Sequence, residues 1–248
     1  MNPTEKHRQY YAETASTYDE SHHGERGEHD VALDYIIAQA RTLGVTSILD
    51  VGAGTGRQVA TLREALPGVQ IVGIEPVPEL VEVGRRTYSL GEDNLVVGDG
   101  LKLPFQDASF DFVIETGVLH HTPRPRAMIL EMARVARRGV FLSDANRFGQ
   151  GRPLARLAKL GIYMSGMWPT FYRLKTRGRN FEESVGDGVY YSFSIYDDLD
   201  VLQAWSDRLW IVPTMQPTET DRRLARWFGT LLGAPHGLVC AVRDVPAL

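Results

Sequence analysis

The chain has 248 residues, of which 43% are hydrophobic and 23% charged, with a net charge of −4. This is an ordinary globular composition with ample length for a large core, and its acidic balance excludes a general electrostatic attraction to nucleic acid. The single cysteine, Cys240, excludes an internal disulfide framework and any cysteine-based zinc cluster.

Cys240 lies in an apolar run, where burial is favoured over reactivity. The first residues contain no apolar signal core, and no run reaches membrane-span length, so a cytoplasmic protein is expected. Neither repeats nor low-complexity segments occur.

Glu5 to Glu20 is predicted to be helical, because Tyr10, Tyr11, Ala15 and Tyr18 recur at near-helical spacing. Ser21-His-His-Gly24 breaks it. A second helix is predicted from Glu28 to Leu43, ended by Gly44. His22 and His23, near His29 and Asp30, read as a solvated loop in preference to a metal site.

Ser47 to Val51 has the short apolar run of a buried parallel strand. Gly52, Gly54 and Gly56 follow, and a helix-forming stretch from Gln58 to Leu66 is stopped by Pro67. Strand, glycine turn and helix together form the nucleotide-binding opening of an α/β sheet. The spacing is G-x-G-x-G, not the dinucleotide G-x-G-x-x-G, and no Lys-Ser/Thr follows as in a phosphate-binding P-loop. A generic Rossmann turn that binds NAD or nothing remains the structural alternative.

A second strand, Gln70 to Ile74, ends at Glu75. A carboxylate there, about 20 residues after the glycine turn, can accept both hydroxyls of a ribose. A helix over Val77 to Leu90 and a strand over Asn94 to Gly98 come next. Asp99-Gly100-Leu101 follows, then a loop from Lys102 to Ser109 and a strand from Phe110 to Ile114. Asp111 is expected to cap or ion-pair structurally. The loop Glu115-Thr-Gly-Val-Leu-His-His-Thr-Pro123 begins beyond that strand's carboxyl end, where open α/β sheets bind ligands. A neutral imidazole there suits proton removal, so His120 and His121 are the candidate bases. Packing of the loop is the alternative role for both.

Pro125 to Ala136 is a predicted helix and Gly139 to Ser143 a fifth strand, followed by Asp144, a candidate to orient a histidine or hold a substrate hydroxyl. About 50 residues then intervene, a length that is usually functional. From Ala145 to Phe181 there is no acid, and arginines and lysines alternate with aromatic residues. Four readings stand for this insertion. It is a lid recognising a phosphate or carboxylate, a nucleic-acid surface, an amphipathic element resting on anionic lipid, or a solvated helical cap. Tyr196 to Trp205 and Thr218 to Leu232 are predicted helices. Leu209 to Pro213 and Gly237 to Val242 are predicted strands.

Asp50-Val-Gly-Ala-Gly-Thr-Gly56 resembles the first motif of the class I S-adenosylmethionine (SAM)-dependent methyltransferases. Gly98-Asp-Gly-Leu-Lys-Leu-Pro-Phe105 with Ser109-Phe-Asp111 is similar to a second stretch of that family. The resemblance covers about residues 10 to 145. It implies an α/β, Rossmann-like class I methyltransferase fold. That is a seven-stranded, mostly parallel sheet with flanking helices, the last strand antiparallel at the sheet edge, an N-terminal helical lid, and a helical insertion after strand five. On this reading one domain, 1–248, comprises a lid (1–44), a SAM-binding core (45–146), a substrate-lid insertion (147–195) and the C-terminal part of the sheet (196–248).

The resemblance also implies the cofactor SAM, leaving as S-adenosylhomocysteine. Tyr11 and Tyr18 would touch its methionyl end and Asp99 its adenine. The expected cofactor residues are Tyr11, Tyr18, Asp50, Gly52, Gly54, Gly56, Glu75, Pro76, Asp99, Gly100, Leu101, Glu115 and Thr116. The expected catalytic residues are His120, His121 and Asp144, with no metal. The family's Asn/Asp-Pro-Pro-Tyr/Phe motif, which marks methylation of amide and exocyclic base nitrogens, is replaced by Glu115-Thr-Gly-Val118. The expected reaction is therefore methylation of an O or N atom of a small acceptor, an anionic one included, in natural-product metabolism. The alternatives are C-methylation of a quinone-like or lipid-linked substrate, then nucleic-acid methylation or a non-catalytic SAM-binding module. No nucleic-acid partner is expected, peripheral membrane association is left open, and the protein is read as a monomer or homodimer.

Overall fold

The computed structural model describes residues 2–22, 26–215 and 218–244, so His23 and Gly24 of the expected helix break lie outside it. Its centre is β1 (Ser47–Val51), whose five residues are all buried. Side chains alternate across a strand, and here Ile48 faces one apolar cluster while Leu49 and Val51 face the other. The first cluster is closed by α3 (Glu28–Leu43) and α4 (Arg57–Ala65). The second is closed by α6 (Pro125–Val135) and α9 (Leu199–Trp205).

Strands β2 (Gln70–Glu75), β3 (Leu95–Val97), β4 (Phe110–Thr116), β5 (Ala136–Ala145), β8 (Arg208–Pro213) and β9 (His236–Val242) complete a sheet of order β3-β2-β1-β4-β5-β9-β8. Strands β1 to β5 are parallel, and β9 runs antiparallel to both neighbours. The last strand is therefore antiparallel as expected, but it is inserted inside the edge strand β8. Strand order reverses between β1 and β4, which opens a crevice at their carboxyl ends.

The expected first helix divides. Helix α1 (Pro3–Thr14) is started by a reciprocal cap between Asn2 and Glu5, and a short 3₁₀ turn separates it from α2 (Tyr18–His22). Helix α3 ends where expected, with Gly44 left-handed at φ 59°. Helix α5 (Pro78–Tyr88) lies so close to the glycine turn that a Cβ on Gly84 would sit 1.8 Å from the Thr55 carbonyl oxygen. Asp111 is structural as expected: it accepts from Thr46 N at 2.7 Å and from Arg137 Nε at 2.9 Å.

The insertion contains helices α7 (Pro153–Met164) and α8 (Trp168–Lys175). A hairpin the sequence reading did not foresee follows, β6 (Glu182–Ser184) and β7 (Gly188–Tyr190). Two of its arginines point inward. Arg147 pairs with Asp197, donates to the Ser192 carbonyl at 2.8 Å, and lies 5.1 Å over the rings of Phe148 and Trp168. Arg156 pairs with Asp221 of α10 (Glu219–Gly233) at 2.6 Å and donates to the Leu232 carbonyl at 2.8 Å. Both are buried. They pin the insertion to the C-terminal part of the sheet. No helix among the described residues is long and apolar enough to cross a membrane.

Candidate active site

The glycine turn supplies the floor. Gly52, Gly54 and Gly56 have φ of 77°, 56° and 76°, in the left-handed region that glycine alone enters cheaply. A Cβ on Gly52 would come within 2.5 Å of Val118, and one on Gly54 within 3.2 Å of the Tyr18 hydroxyl. Gly56 instead packs under Leu90 and Leu95 and lines neither of the cavities described next.

Glu75 ties the turn to α5, because its two carboxylate oxygens accept from Gly54 N at 3.1 Å and Val77 N at 3.0 Å. Burial pushes its pKa up to about 7. Asp50 is likewise raised to about 7, by burial and then by the Glu75 charge. Its Oδ1 is buried without a hydrogen-bond partner, as is Oε1 of Glu115. Glu115 Oε2 accepts from Val118 N at 3.0 Å, and burial followed by the Asp144 charge raises this carboxyl too. Glu115 lies buried behind the cavities and lines neither.

Two cavities adjoin here. The first runs from the glycine turn past Glu75, Pro76, Asp99, Gly100 and Leu101. The second runs past Asp50, His29, His120, Asp144, Asp187 and His236. Tyr11, Tyr18, Gly52, Thr116, Gly117 and His121 line both and so mark their junction. At the far end of the first cavity, Asp99 accepts from Leu101 N at 2.9 Å and pairs with Arg8 of α1 at 2.9 Å.

In the second cavity His120 Nδ1 donates to Asp144 Oδ1 at 2.7 Å. Burial works against a charge on His120, but Asp144 and then Asp187 outweigh it and raise its pKa to about 10. His121 Nδ1 donates to the Val189 carbonyl at 2.8 Å, which fixes the tautomer and leaves Nε2 3.3 Å from Asp187 Oδ1. Burial and then the neighbouring His120 charge lower the His121 pKa. The adjoining His120 and His121 outweigh burial at Asp187 and hold it well below the usual carboxylate range. The two residues that look alike in sequence are therefore shifted in opposite directions.

Asp187, His7, Arg8 and His236 were not singled out from the sequence. Asp187 arrives on the β6–β7 turn, and α1 is tied to that hairpin by Lys6–Glu183 at 2.6 Å and by the Tyr10 hydroxyl on the Val185 carbonyl at 2.5 Å. His7 stacks on His121 with ring centroids 4.4 Å apart, and burial pushes its pKa down to about 3. His29, read from sequence as part of a solvated loop, instead lines the second cavity with its ring edge-on to His236 at 4.9 Å. Asp30 pairs with Arg57 at 2.9 Å. Five of the seven histidines in the chain thus surround one junction. Two groups, Glu28–His29–His236 and His120–His121–Asp187, each bring three potential metal-ligating atoms within 4.8 Å of one another.

Residues 49–143 match a family model described as a methyltransferase domain. An uncharacterized methyltransferase of Mycobacterium marinum is 32% identical over 105 residues, which is 42% of this chain and 40% of that protein. A demethylmenaquinone methyltransferase of Clavibacter sepedonicus is 30% identical over 160 residues, 64% of this chain and 62% of its own length. The matched part thus spans less than two thirds of each of these relatives. Among solved structures, the magnesium protoporphyrin IX methyltransferase of Synechocystis PCC 6803, crystallised with SAH, superposes with a TM-score of 0.59. The two are 20% identical, with 96% of this chain and 98% of that one covered, a likeness of fold.

Proposed function

Because residues 49–143 match a methyltransferase-domain model, we propose that the chain is a class I SAM-dependent methyltransferase that methylates an oxygen or nitrogen atom of a small acceptor in natural-product metabolism. The observation that carries this reading is the pair of cavities meeting at Tyr11, Tyr18, Gly52, Thr116, Gly117 and His121. One cavity suits a nucleoside and the other an acceptor. On this reading α1 and the β6–β7 hairpin form the lid over both.

The residues fit the cofactor's groups. The unpartnered, buried Oδ1 of Asp50, which lines the second cavity, complements its cationic methionyl end, with Glu115 buried behind it. Each Glu75 oxygen receives one backbone N–H and keeps a second lone pair for a ribose hydroxyl. Gly52, Gly54 and Gly100 leave bare backbone where a Cβ would collide with a neighbour. Tyr11, Tyr18, Pro76, Asp99, Leu101 and Thr116 complete the set assigned to it, and Gly56 shapes the turn from behind. When bound, SAM supplies a methyl group on a cationic sulfur, open to in-line displacement by an O or N lone pair.

We assign proton removal from the acceptor to His121, whose Nε2 lone pair lies where the cavities meet. Once protonated, Nε2 donates to the Asp187 carboxylate, whose Oδ1 lies 3.3 Å away. His120, already protonated, is fixed by Asp144 and positions Asp187. Loss of such a base lowers the rate by about 10²- to 10⁴-fold.

The test is calorimetry with SAM and SAH, followed by transfer from methyl-labelled SAM to a panel of phenols, carboxylic acids and amines. Heat of binding, labelled product, and a His121→Ala variant that binds SAM normally yet turns over at least about 100-fold more slowly support the reading. Absence of binding heat ends it. A demethylated naphthoquinol belongs in the panel, because the Clavibacter sepedonicus relative favours a second reading, C-methylation of a quinol.

A further inference from the structure

Helix α7 reads Pro-Leu-Ala-Arg-Leu-Ala-Lys-Leu-Gly-Ile-Tyr-Met and is the most apolar described helix of eight or more residues, yet Arg156 is its one buried residue. A helix that packs its apolar stripe inward shows the reverse. Leu154, Leu157 and Met164 fall within one narrow stripe and are 81%, 41% and 78% exposed. Helix α8, packed on α7, presents Phe171 and Leu174 outward, the latter 75% exposed, and buries Tyr172. Helix α10 also packs on α7 and carries Trp227 at 85% exposure. Large apolar side chains left in solvent on helices that pack against one another point to an interaction surface. The inward pairs of Arg147 and Arg156 hold the helices in this orientation.

We propose that the outward faces of α7 and α8, with Trp227, seat on the surface of an anionic bilayer. Charge selects this occupant. No acid occurs from Ala145 to Phe181, and Arg152, Arg173 and Arg177 are exposed and make no ion pair among the described residues. A basic rim around apolar and tryptophan side chains is the composition of an interfacial helix. The chain as a whole carries −4, so the rest of the molecule is acidic and turns away from the same surface. A second copy fits poorly, since a two-fold contact through this face would set each basic rim against its own duplicate. Seated this way, the protein would take an amphipathic acceptor from the bilayer boundary.

The test uses untagged full-length protein sedimented with vesicles of phosphatidylcholine alone, or with about one third phosphatidylserine, whose surface potential attracts basic segments. The expected result is a bound fraction at least about fivefold higher on the anionic vesicles, falling as salt is raised. Leu154→Glu/Leu174→Glu should abolish that binding while leaving the SAM dissociation constant unchanged, which shows that the fold is intact. Trp227→Ser should weaken it about twofold, in keeping with interfacial tryptophan. Wild-type protein that stays in the supernatant with both vesicles overturns the proposal, as does vesicle binding that the double substitution leaves untouched. A concentration-dependent dimer dissolved by that substitution, without vesicle binding, assigns the face to a second copy instead. Failure of SAM to bind would refute the methyltransferase reading without touching this one.

Discussion

Glu75→Gln separates cofactor binding from stability. The carboxylate has two oxygens, each on a backbone N–H and each with a lone pair to spare. Glutamine keeps one acceptor oxygen and turns its amide donor toward a backbone N–H. It therefore loses one ribose contact outright and the charge on the other. Hydrogen bonds to a charged group contribute about 1.5–3 kcal/mol, so the SAM dissociation constant should rise by roughly 10- to 100-fold.

Stability should move differently. Burial lifts the Glu75 pKa from 4.5 to about 7, which places roughly 3 kcal/mol of penalty on the ionised form. Below pH 4.5 the group is neutral in folded and unfolded chains alike and carries no penalty. Between pH 4.5 and about 7 the unfolded chain has released its proton and the folded chain has not, so stability falls as pH rises. Above about 7 the full penalty applies. Glutamine removes that penalty but leaves a buried N–H unsatisfied, at about 1–3 kcal/mol. The variant should therefore be less stable than wild type near pH 5 and about equal to it at pH 8, by denaturant melts at both. Wild-type affinity for SAM should strengthen as pH rises toward about 7, and the variant's should not. A change in dissociation constant under threefold, or a stability gap that does not move with pH, would refute the reasoning.

Other perturbations test other parts of the molecule. Gly84→Ala drives a Cβ to within 1.8 Å of the Thr55 carbonyl, which is backbone and yields poorly. A loss of about 1–3 kcal/mol by denaturant melt, with weaker SAM binding by calorimetry, is expected. Arg156→Met strands the buried Asp221 charge and should cost about 3–5 kcal/mol, most of it recovered in Arg156→Met/Asp221→Asn. Equal melts for the single and double variants would count against the pair as the insertion's anchor. His120→Gln should slow methyl transfer less than His121→Ala, because His120 orients and does not accept the proton; the reverse order in single-turnover rates would exchange the two roles.

The parts of the molecule legible in the sequence are those where local chemistry fixes geometry. The run Ser47–Val51 followed by Gly52, Gly54 and Gly56 specifies strand, turn and helix within a dozen residues, and Glu75 follows from the spacing of one βαβ unit. Helix α3 was readable to its last residue because Gly44 takes the left-handed terminal position. What was not legible depends on chain segments meeting across long separations. Asp187 reaches His120 and His121 only because a hairpin folds back over β4, and a three-residue strand with charged residues carries no strand signature. His29 and His236, one from the start of a helix and one from the start of a strand, lie about 200 residues apart in sequence and meet only in the folded sheet. The basic insertion was legible only in part, for a related reason. Charge counted along the sequence does not reveal that Arg147 and Arg156 spend theirs on Asp197 and Asp221, about 50 or more residues away. Removing those two from the surface inventory leaves a rim of arginines around exposed leucine, methionine and tryptophan. The same folding event that hides part of the charge is what turns the apolar stripe outward.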